Sequence, residues 1–256
     1  SLIILLALGM LLSPGAQAQG DTWLPVESMP TERESVTACT VDGKIYAIGG
    51  FPGRSARGIG TNERYDPATN SWTTMAPMPT GRRMPVTGVV GGKCFVIGGR
   101  VTDGGSALNT VEAYDPSTDS WTTHAPMPTA RFAHAAAVVD GIIYVIGGTN
   151  FRSLYRLVEA YDPATDSWTT LTPMTTARAL HGAAAANGKI YVMGGTLDGG
   201  STLTGMEIYD PVTDSWSAGP DMPLGKFSLS ASVVNNRIYA VGGTNGFGAL
   251  NYVAAY

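Results

Sequence analysis

One short apolar stretch ending in a glycine pair occurs five times in this chain, and this repetition limits the folds available to it. The copies are IYAIGG at 45–50, CFVIGG at 94–99, IYVIGG at 143–148, IYVMGG at 190–195 and IYAVGG at 238–243. Consecutive copies begin 47 to 49 residues apart. A fixed period of roughly 20–50 residues indicates a repeat architecture in which each unit is one supersecondary element.

Each unit carries the same landmarks in the same order. A basic residue opens it, a run of small or β-branched residues follows, and a two-residue turn such as Asp42-Gly43 precedes the glycine-paired stretch. These turn residues tolerate positive φ, as a tight hairpin requires. After a variable loop comes a second signature, ERYDPATNSW at 63–72 in the first unit, in which Asp-Pro ends a strand and starts a turn. The pattern predicts four short antiparallel strands per unit, named A to D.

A single four-stranded sheet cannot bury both of its faces. Copies stacked around an axis can do so, with one Tyr and one Trp per unit filling the space between neighbours. We therefore predict an all-β propeller of four-stranded antiparallel blades. A linear solenoid is the alternative, although its repeats usually contain fewer residues and fewer strands.

A glycine pair after a strand, then a Tyr and then a Trp, at about 50 residues per repeat, resembles the kelch repeat. The resemblance covers Asp21 to Tyr256 and implies a kelch-type β-propeller for residues 19–256. The repeats lie at about 31–74, 80–123, 129–170, 176–218 and 224–256. The fold alone does not fix an activity.

The ends of the chain carry further expectations. Residues 1–18 are an apolar run followed by Ala16-Gln17-Ala18, which is typical of a secretory signal peptide cleaved before Gln19. A membrane anchor is the alternative, but the apolar run is shorter than the roughly 20 residues that span a bilayer. With no Met or basic segment ahead of Ser1, we expect an N-terminally clipped signal peptide. The predicted location is secreted, periplasmic or at the cell surface.

Trp23 matches the fourth strand of a unit that lacks the other three. The strand predicted at 21–26 could therefore complete the last unit, which stops at Tyr256, and give a ring of five blades. A segment of a larger ring is the other possibility, because kelch propellers more often have six or seven blades.

Composition and charge exclude several classes of function. Charged residues make up 14% of the chain, 33 residues are glycine and the formal charge is −4, which suits a turn-rich β protein and gives no global sign of nucleic-acid binding. Cys39 and Cys94 align with small and apolar repeat positions, which indicates buried hydrophobic residues. A disulfide between adjacent blades is the alternative. No stable membrane insertion of the mature chain is expected.

Strand direction places the starts of the A strands and the B–C loops on one face of the disc, which we call the loop face. The loops cover 51–61, 100–110, 149–157, 196–204 and 244–251, and variable loops on a rigid scaffold often bind ligands. Eleven of the sixteen basic residues belong to this face. Guanidinium groups recognise carboxylates, sulfates and phosphates, so an anionic ligand is expected. The candidate ligand-binding residues are Arg54, Arg57, Arg100, Arg152 and Arg156 with Phe51, Phe151, Tyr155 and Phe247 in the loops, and Arg33, Arg82, Arg131, Arg178 and Lys226, with the neighbouring Arg83, at the A-strand starts.

The A-strand residues also have a structural interpretation. Glu63, Glu112, Glu159 and Glu207 each lie two residues before the repeat Tyr, where they could form salt bridges with the basic residues. In the last unit both partners change together, to Ala254 and Lys226, which favours pairing.

The sequence shows no catalytic constellation. His134 and His181 share one repeat position and could bind a metal, but lining of the channel or the inter-blade core is the simpler interpretation. No catalytic residue, metal or cofactor is predicted. Some kelch-like propellers are enzymes, including a copper-radical sugar oxidase and an exported sialic-acid epimerase, and a carbohydrate-active enzyme of either type is the alternative function. The predicted function is an exported binding scaffold whose loop face binds a protein, a peptide or an acidic glycan.

Overall fold

The computed structural model describes residues 25–53 and 57–256. The predicted signal peptide, Trp23 and Arg54 lie outside these residues. In the described part of the chain, no helix has the length and apolarity needed to cross a membrane.

The described residues form nineteen β-strands in five sheets, which we number as blades 1 to 5. Blade 1 contains β1 (Thr37–Val41), β2 (Lys44–Ile48), β3 (Asn62–Asp66) and β4 (Ser71–Met75). Blade 2 contains β5 (Val86–Val90), β6 (Lys93–Ile97), β7 (Val111–Asp115) and β8 (Ser120–His124). Blade 3 contains β9 (Ala135–Val139), β10 (Ile142–Ile146), β11 (Val158–Asp162) and β12 (Ser167–Leu171).

Blade 4 contains β13 (Gly182–Ala186), β14 (Lys189–Met193), β15 (Met206–Asp210) and β16 (Ser215–Ala218). Blade 5 contains β17 (Ser230–Val234), β18 (Arg237–Val241) and β19 (Val253–Ala255), and thus has three strands in the described part. All neighbouring strands are antiparallel and follow chain order. The predicted all-β propeller of antiparallel blades is confirmed, and the described residues contain five blades.

The blades follow one another around a central channel. Their first strands, β1, β5, β9, β13 and β17, contact each other in that order. A cavity of about 430 Å³ lies at their start and is lined by two residues of each blade, the second of which is Val36, Pro85, His134, His181 or Leu229. Apolar side chains of adjacent blades form four continuous clusters, one at each of the four successive interfaces.

The glycine pairs occur where one blade meets the next. Gly50 has φ of 89° and donates its N–H to the Arg82 carbonyl of blade 2 at 2.9 Å. A Cβ on Gly49 would lie 2.7 Å from that same carbonyl oxygen, closer than side chains allow. The repeated glycines are therefore required by backbone contact between blades.

The Asp-Pro turn and the repeat Trp form hydrogen bonds to the backbone of the preceding blade. In blade 2, the Asp119 carboxylate accepts the Ala76 N–H at 2.8 Å and the Tyr114 hydroxyl at 2.7 Å. The Trp121 indole donates to the carbonyl of the same Ala76 at 2.8 Å. Both backbone groups of one residue in blade 1 are thus bonded by blade 2, and blades 3 and 4 make the same contacts to the blades before them.

The two cysteines are buried, as the sequence indicates, and the disulfide that was the alternative interpretation is present. Cys39 of β1 and Cys94 of β6 are joined in a disulfide, with their Cα atoms 6.3 Å apart. The small and apolar positions that they occupy face each other across the interface between blades 1 and 2, which brings the two sulfurs together.

Candidate functional site

The loop face is assembled by backbone pairing between each A-strand start and the residue after each glycine pair. The five pairs are Glu34–Phe51, Arg83–Arg100, Phe132–Thr149, Ala179–Thr196 and Phe227–Thr244. The side chains of these pairs therefore surround the mouth of the channel on one face.

The basic residue that opens each of the first four units is buried in an ion pair. The pairs are Arg33–Glu63, Arg82–Glu112 at 3.1 Å, Arg131–Glu159 at 2.5 Å and Arg178–Glu207 at 2.7 Å. Burial lowers the pKa of Arg82 to about 10, with Glu112 acting in the opposite direction, so this guanidinium stays charged at neutral pH. These arginines form the structural salt bridges that were the alternative interpretation, and their side chains are not accessible to a ligand.

In the fifth blade, the opening basic residue is buried without an acidic partner. The buried Lys226 ammonium donates to the carbonyls of Ala240 at 2.8 Å and Tyr252 at 3.2 Å. It also lies 5.4 Å from the centre of the Tyr252 ring. Lys226 is therefore part of the blade interior as well.

Arg83 and Arg100 form a cationic cluster on the loop face together with three phenylalanines. The Arg83 guanidinium lies 4.1 Å from the centre of the Phe51 ring. That of Arg100 lies 4.7 Å from the centre of Phe132 and 4.9 Å from that of Phe151. Such contacts hold a guanidinium in place through its attraction to the ring face.

One carboxylate forms salt bridges with both guanidinium groups of this cluster. Asp103, which is largely exposed, forms a salt bridge with Arg83 and another with Arg100 at 3.0 Å. Nε and Nη1 of Arg83 and Nε of Arg100 are buried and have no hydrogen-bond partner among the described residues. Burial and the like charge of Arg83 lower the pKa of Arg100. The Glu34 carboxylate also acts on Arg83, so the two guanidinium groups have two carboxylates nearby.

A cleft of about 560 Å³ opens beside this cluster, across blades 2 to 4. Arg100, Arg152 and Asp198 contribute charged groups to its lining, and Phe132, Phe151 and Leu154 give it apolar surface. Arg152 and Phe151 are exposed, with Phe151 53% accessible. A ligand in this cleft would meet positive charge and an aromatic surface together.

The other loop residues are spread over the same face. Arg57, Arg156 and Phe247 are exposed, and Tyr155 is half-buried. Phe51 is buried beneath Arg83. None of these residues lines the cleft beside Arg100.

Sequence reasoning missed Phe132 and Asp103 as members of the cluster. A signal was present, because the residue after the opening basic residue is Glu34, Arg83, Phe132, Ala179 and Phe227 in successive units. The opening basic residue directly before it is Arg or Lys in every unit, so this variation, like that of the B–C loops, marks positions where the blades differ on the loop face.

His134 and His181 lie between blades. The His134 ring contacts Gly98 of the preceding blade, and its Nε2 is 3.2 Å from the Ile97 carbonyl oxygen. The His181 ring contacts Gly147 in the same way. Among the described residues, no group of three or more His, Cys, Asp or Glu side chains is placed to hold a metal ion.

Comparisons with known proteins agree with this geometry. A family model described as the Kelch motif matches residues 32–79 and 81–128, and one described as the KLHDC2/KLHL20/DRC7 Kelch-repeats domain matches residues 122–243. A solved structure titled "Structure of YjhT" superposes with a TM-score of 0.83 at 20% identity, covering 93% of this chain and 85% of that chain. At this identity the likeness shows the fold alone. No match was found among curated proteins.

Proposed function

Because this chain belongs to the kelch-repeat family of β-propellers, we propose that it is an interaction scaffold whose loop face binds an acidic ligand. The ligand classes that fit are an acidic segment of a protein, a peptide or an acidic glycan. The observation that carries the proposal is the Arg100 guanidinium, which packs against the contacting rings of Phe132 and Phe151 at the edge of the cleft.

The chemistry of the cleft supports an anion with an apolar or ring-shaped body. Arg100 and Arg152 supply charge, and the exposed face of Phe151 supplies a stacking surface. A guanidinium already fixed by its neighbours loses little entropy when it binds, so more of the contact energy contributes to affinity.

Two labelled probes test this function: a deca-glutamate peptide and an oligo-galacturonate. We expect binding that weakens as salt is added, because the contacts are ionic. Arg100→Met should weaken it about tenfold or more, which corresponds to one lost charged hydrogen bond. Fluorescence anisotropy gives the affinities.

Lys189→Met is the matched control, since Lys189 follows an A–B turn on the opposite face and pairs with Asp210. It removes the same charge and should leave the affinity unchanged. The proposal fails if neither probe binds or if both variants weaken binding equally.

We further infer that the protein is exported, as residues 1–18 predict. The Cys39–Cys94 disulfide supports this, because structural disulfides persist in oxidising compartments. Free thiols at these positions in protein recovered from its native cells would contradict export.

A further inference from the structure

Phe151 has a backbone conformation that glycine adopts in the other B–C loops. Its φ is 73°, in the left-handed region, which is a costly conformation for a bulky side chain. Among the described residues, the left-handed residue that follows the glycine pair in the other loops is Gly53, Gly104, Gly199 or Gly246. Blade 3 therefore carries a phenylalanine where the other blades carry the residue best suited to the backbone.

The matching turn of blade 5 shows that the fold does not require this phenylalanine. Thr149 Oγ1 accepts the Phe151 N–H at 3.1 Å. In blade 5, Thr244 Oγ1 accepts the Gly246 N–H at 3.1 Å. Each threonine hydroxyl also donates to the carbonyl two residues further along its turn. Because the two turns share these hydrogen bonds, glycine would fit at position 151 without strain.

The Phe151 side chain remains partly exposed although its backbone is strained. Its ring lies 4.6 Å from the ring of Phe132, and the Arg100 guanidinium lies 4.9 Å from its centre. Even so, 53% of the residue is accessible. Strained residues concentrate at ligand-binding sites, where the strain is kept for function. The exposed part of the ring is therefore available to a ligand beside a fixed cation.

Phe151 and Arg152 line two clefts of the loop face. The first is the cleft of about 560 Å³ beside Arg100. The second has a volume of about 530 Å³ and is lined by the loops of blades 2 and 3, including Ser106 and Asn150. A chain-like ligand that occupies both clefts therefore contacts Phe151 and Arg152.

The polar groups of these clefts suit hydroxyl groups as well as a carboxylate. In the first cleft, Asp198 accepts the N–H groups of Ser201 at 2.7 Å and Gly200 at 2.9 Å, which hold its pKa well below its usual range. This ionised group can accept a hydrogen bond from a ligand hydroxyl but repels a second carboxylate. In the second cleft, Ser106 offers a hydroxyl, and Asn150 uses its Oδ1 within the turn, so its amide N–H groups are left to donate.

We propose that Phe151 is the specificity-determining residue of the loop face and that it selects glycans containing uronic-acid units over acidic peptides. A uronic-acid unit combines an apolar ring face for Phe151, a carboxylate for the arginines and hydroxyl groups for Asp198. A run of acidic side chains supplies only the carboxylates. This specificity rests on the proposed function, because both concern the same cleft.

Phe151→Gly tests this role, because it introduces the residue that blade 5 has in the same turn. We expect the affinity for labelled oligo-galacturonate to fall about tenfold through loss of the ring contact. The affinity for deca-glutamate should change less than about twofold, since Arg100 keeps its contacts with Phe132 and Asp103. The thermal midpoint should fall by no more than about 2 °C, because removal of the strain offsets the lost contact with Phe132. Fluorescence anisotropy and thermal unfolding measure the two effects.

Phe151→Tyr is the matched control, because it keeps both the ring and the strained backbone. It should leave the affinity for oligo-galacturonate within about twofold of the parent value. A labelled peptide of alternating glutamate and phenylalanine tests the other class of partner. If this peptide binds more tightly than oligo-galacturonate and depends on Phe151, the ligand is a peptide and the proposed selection of glycans is wrong.

The results separate this specificity from the binding function itself. Oligo-galacturonate binding that depends on Arg100 but not on Phe151 would leave the function standing and overturn the role of Phe151. A larger fall of the thermal midpoint in Phe151→Gly would overturn it too, because the phenylalanine would then serve the fold. If the parent protein binds neither anionic probe, both proposals fail.

Discussion

At the scale of single residues, the same position serves different purposes in different blades. The residue that lines the start of the channel is Val36 in blade 1 and Leu229 in blade 5, but histidine in blades 3 and 4. Burial, with a smaller effect from the nearby Arg178 charge, lowers the pKa of His181 to about 3. His134 is affected in the same way by burial and by Arg131 and His181. Both rings are therefore neutral in the folded protein at any pH above about 3.

We predict that His181 makes the protein sensitive to acid. Because the folded pKa lies below the unfolded value of 6.5, the unfolded chain binds the proton first, and stability is lost as the pH falls from 6.5 toward 3. At pH 4.5, two units below the unfolded pKa, the loss is about 2–3 kcal/mol. His181→Leu, which introduces the residue that blade 5 has at this position, should remove that loss.

Urea unfolding of the parent and of His181→Leu at pH 7 and pH 4.5 measures this difference. The advantage of the variant should grow as the pH falls, and the acid titration of the carboxylates cancels in the comparison. A constant difference between the two proteins at both pH values would show that His181 titrates normally in the folded state.

At the scale of elements, the Asp-Pro turn forms the hydrogen bonds that attach one blade to the blade before it. Its second aspartate, Asp119 in blade 2, has φ of 49° and accepts hydrogen bonds from the Tyr114 hydroxyl and the Ala76 N–H. Aspartate and asparagine tolerate this left-handed conformation better than other residues with side chains. Blade 1 has Asn70 at the same position, with the same two bonds.

We predict that Asp119→Ala destabilises the protein by about 2 kcal/mol, from two lost hydrogen bonds and an unfavourable φ for alanine. Asp119→Asn should cost less than about 1 kcal/mol, because the asparagine of blade 1 already performs this role. Chemical denaturation measures both. If the two variants lose the same stability, the carboxylate charge rather than the hydrogen-bond geometry holds the blades together.

At the scale of the whole molecule, the blades contact only their neighbours, so stability is approximately a sum over the interfaces between blades. The interface between blades 1 and 2 also has a covalent bond, since the Cys39–Cys94 disulfide crosses it with a sequence separation of 55 residues. Closing a loop of that length restricts the unfolded chain and stabilises the fold by up to about 4 kcal/mol.

We predict that a reducing agent lowers the urea midpoint of the parent protein. Cys39→Ala combined with Cys94→Ile introduces residues found at these positions in other blades, and this variant should start lower and not respond to reduction. A parent protein whose midpoint is the same with and without the reducing agent would show that the disulfide contributes nothing to stability.

The sequence was sufficient for the architecture because every unit repeats the same local rules. Turn residues such as Asp42 and Gly43, the glycine pairs and the alternating apolar positions each specify a strand or its end, and five copies make the pattern clear. The pairing of Arg131 with Glu159 was also accessible, because both lie at fixed positions of the repeat.

The candidate site was less predictable because it depends on contacts between loops of different blades. Arg100 and Asp103 are close in sequence, but Arg83, Phe132 and Phe151 reach them only through backbone pairing and loop conformation. The disulfide was left open for the same reason, since strand registers within each blade do not define the distance between Cys39 and Cys94.

The covalent link between blades 1 and 2 gives unfolding a direction. These two blades cannot separate while the disulfide is intact, whereas blade 5 has three strands in the described part and no disulfide to retain it. Unfolding of the native structure should therefore begin at blade 5, and blades 1 and 2 should unfold last. Refolding in the opposite sense would start from a pair of blades that is already joined, and each later blade would add to a finished template.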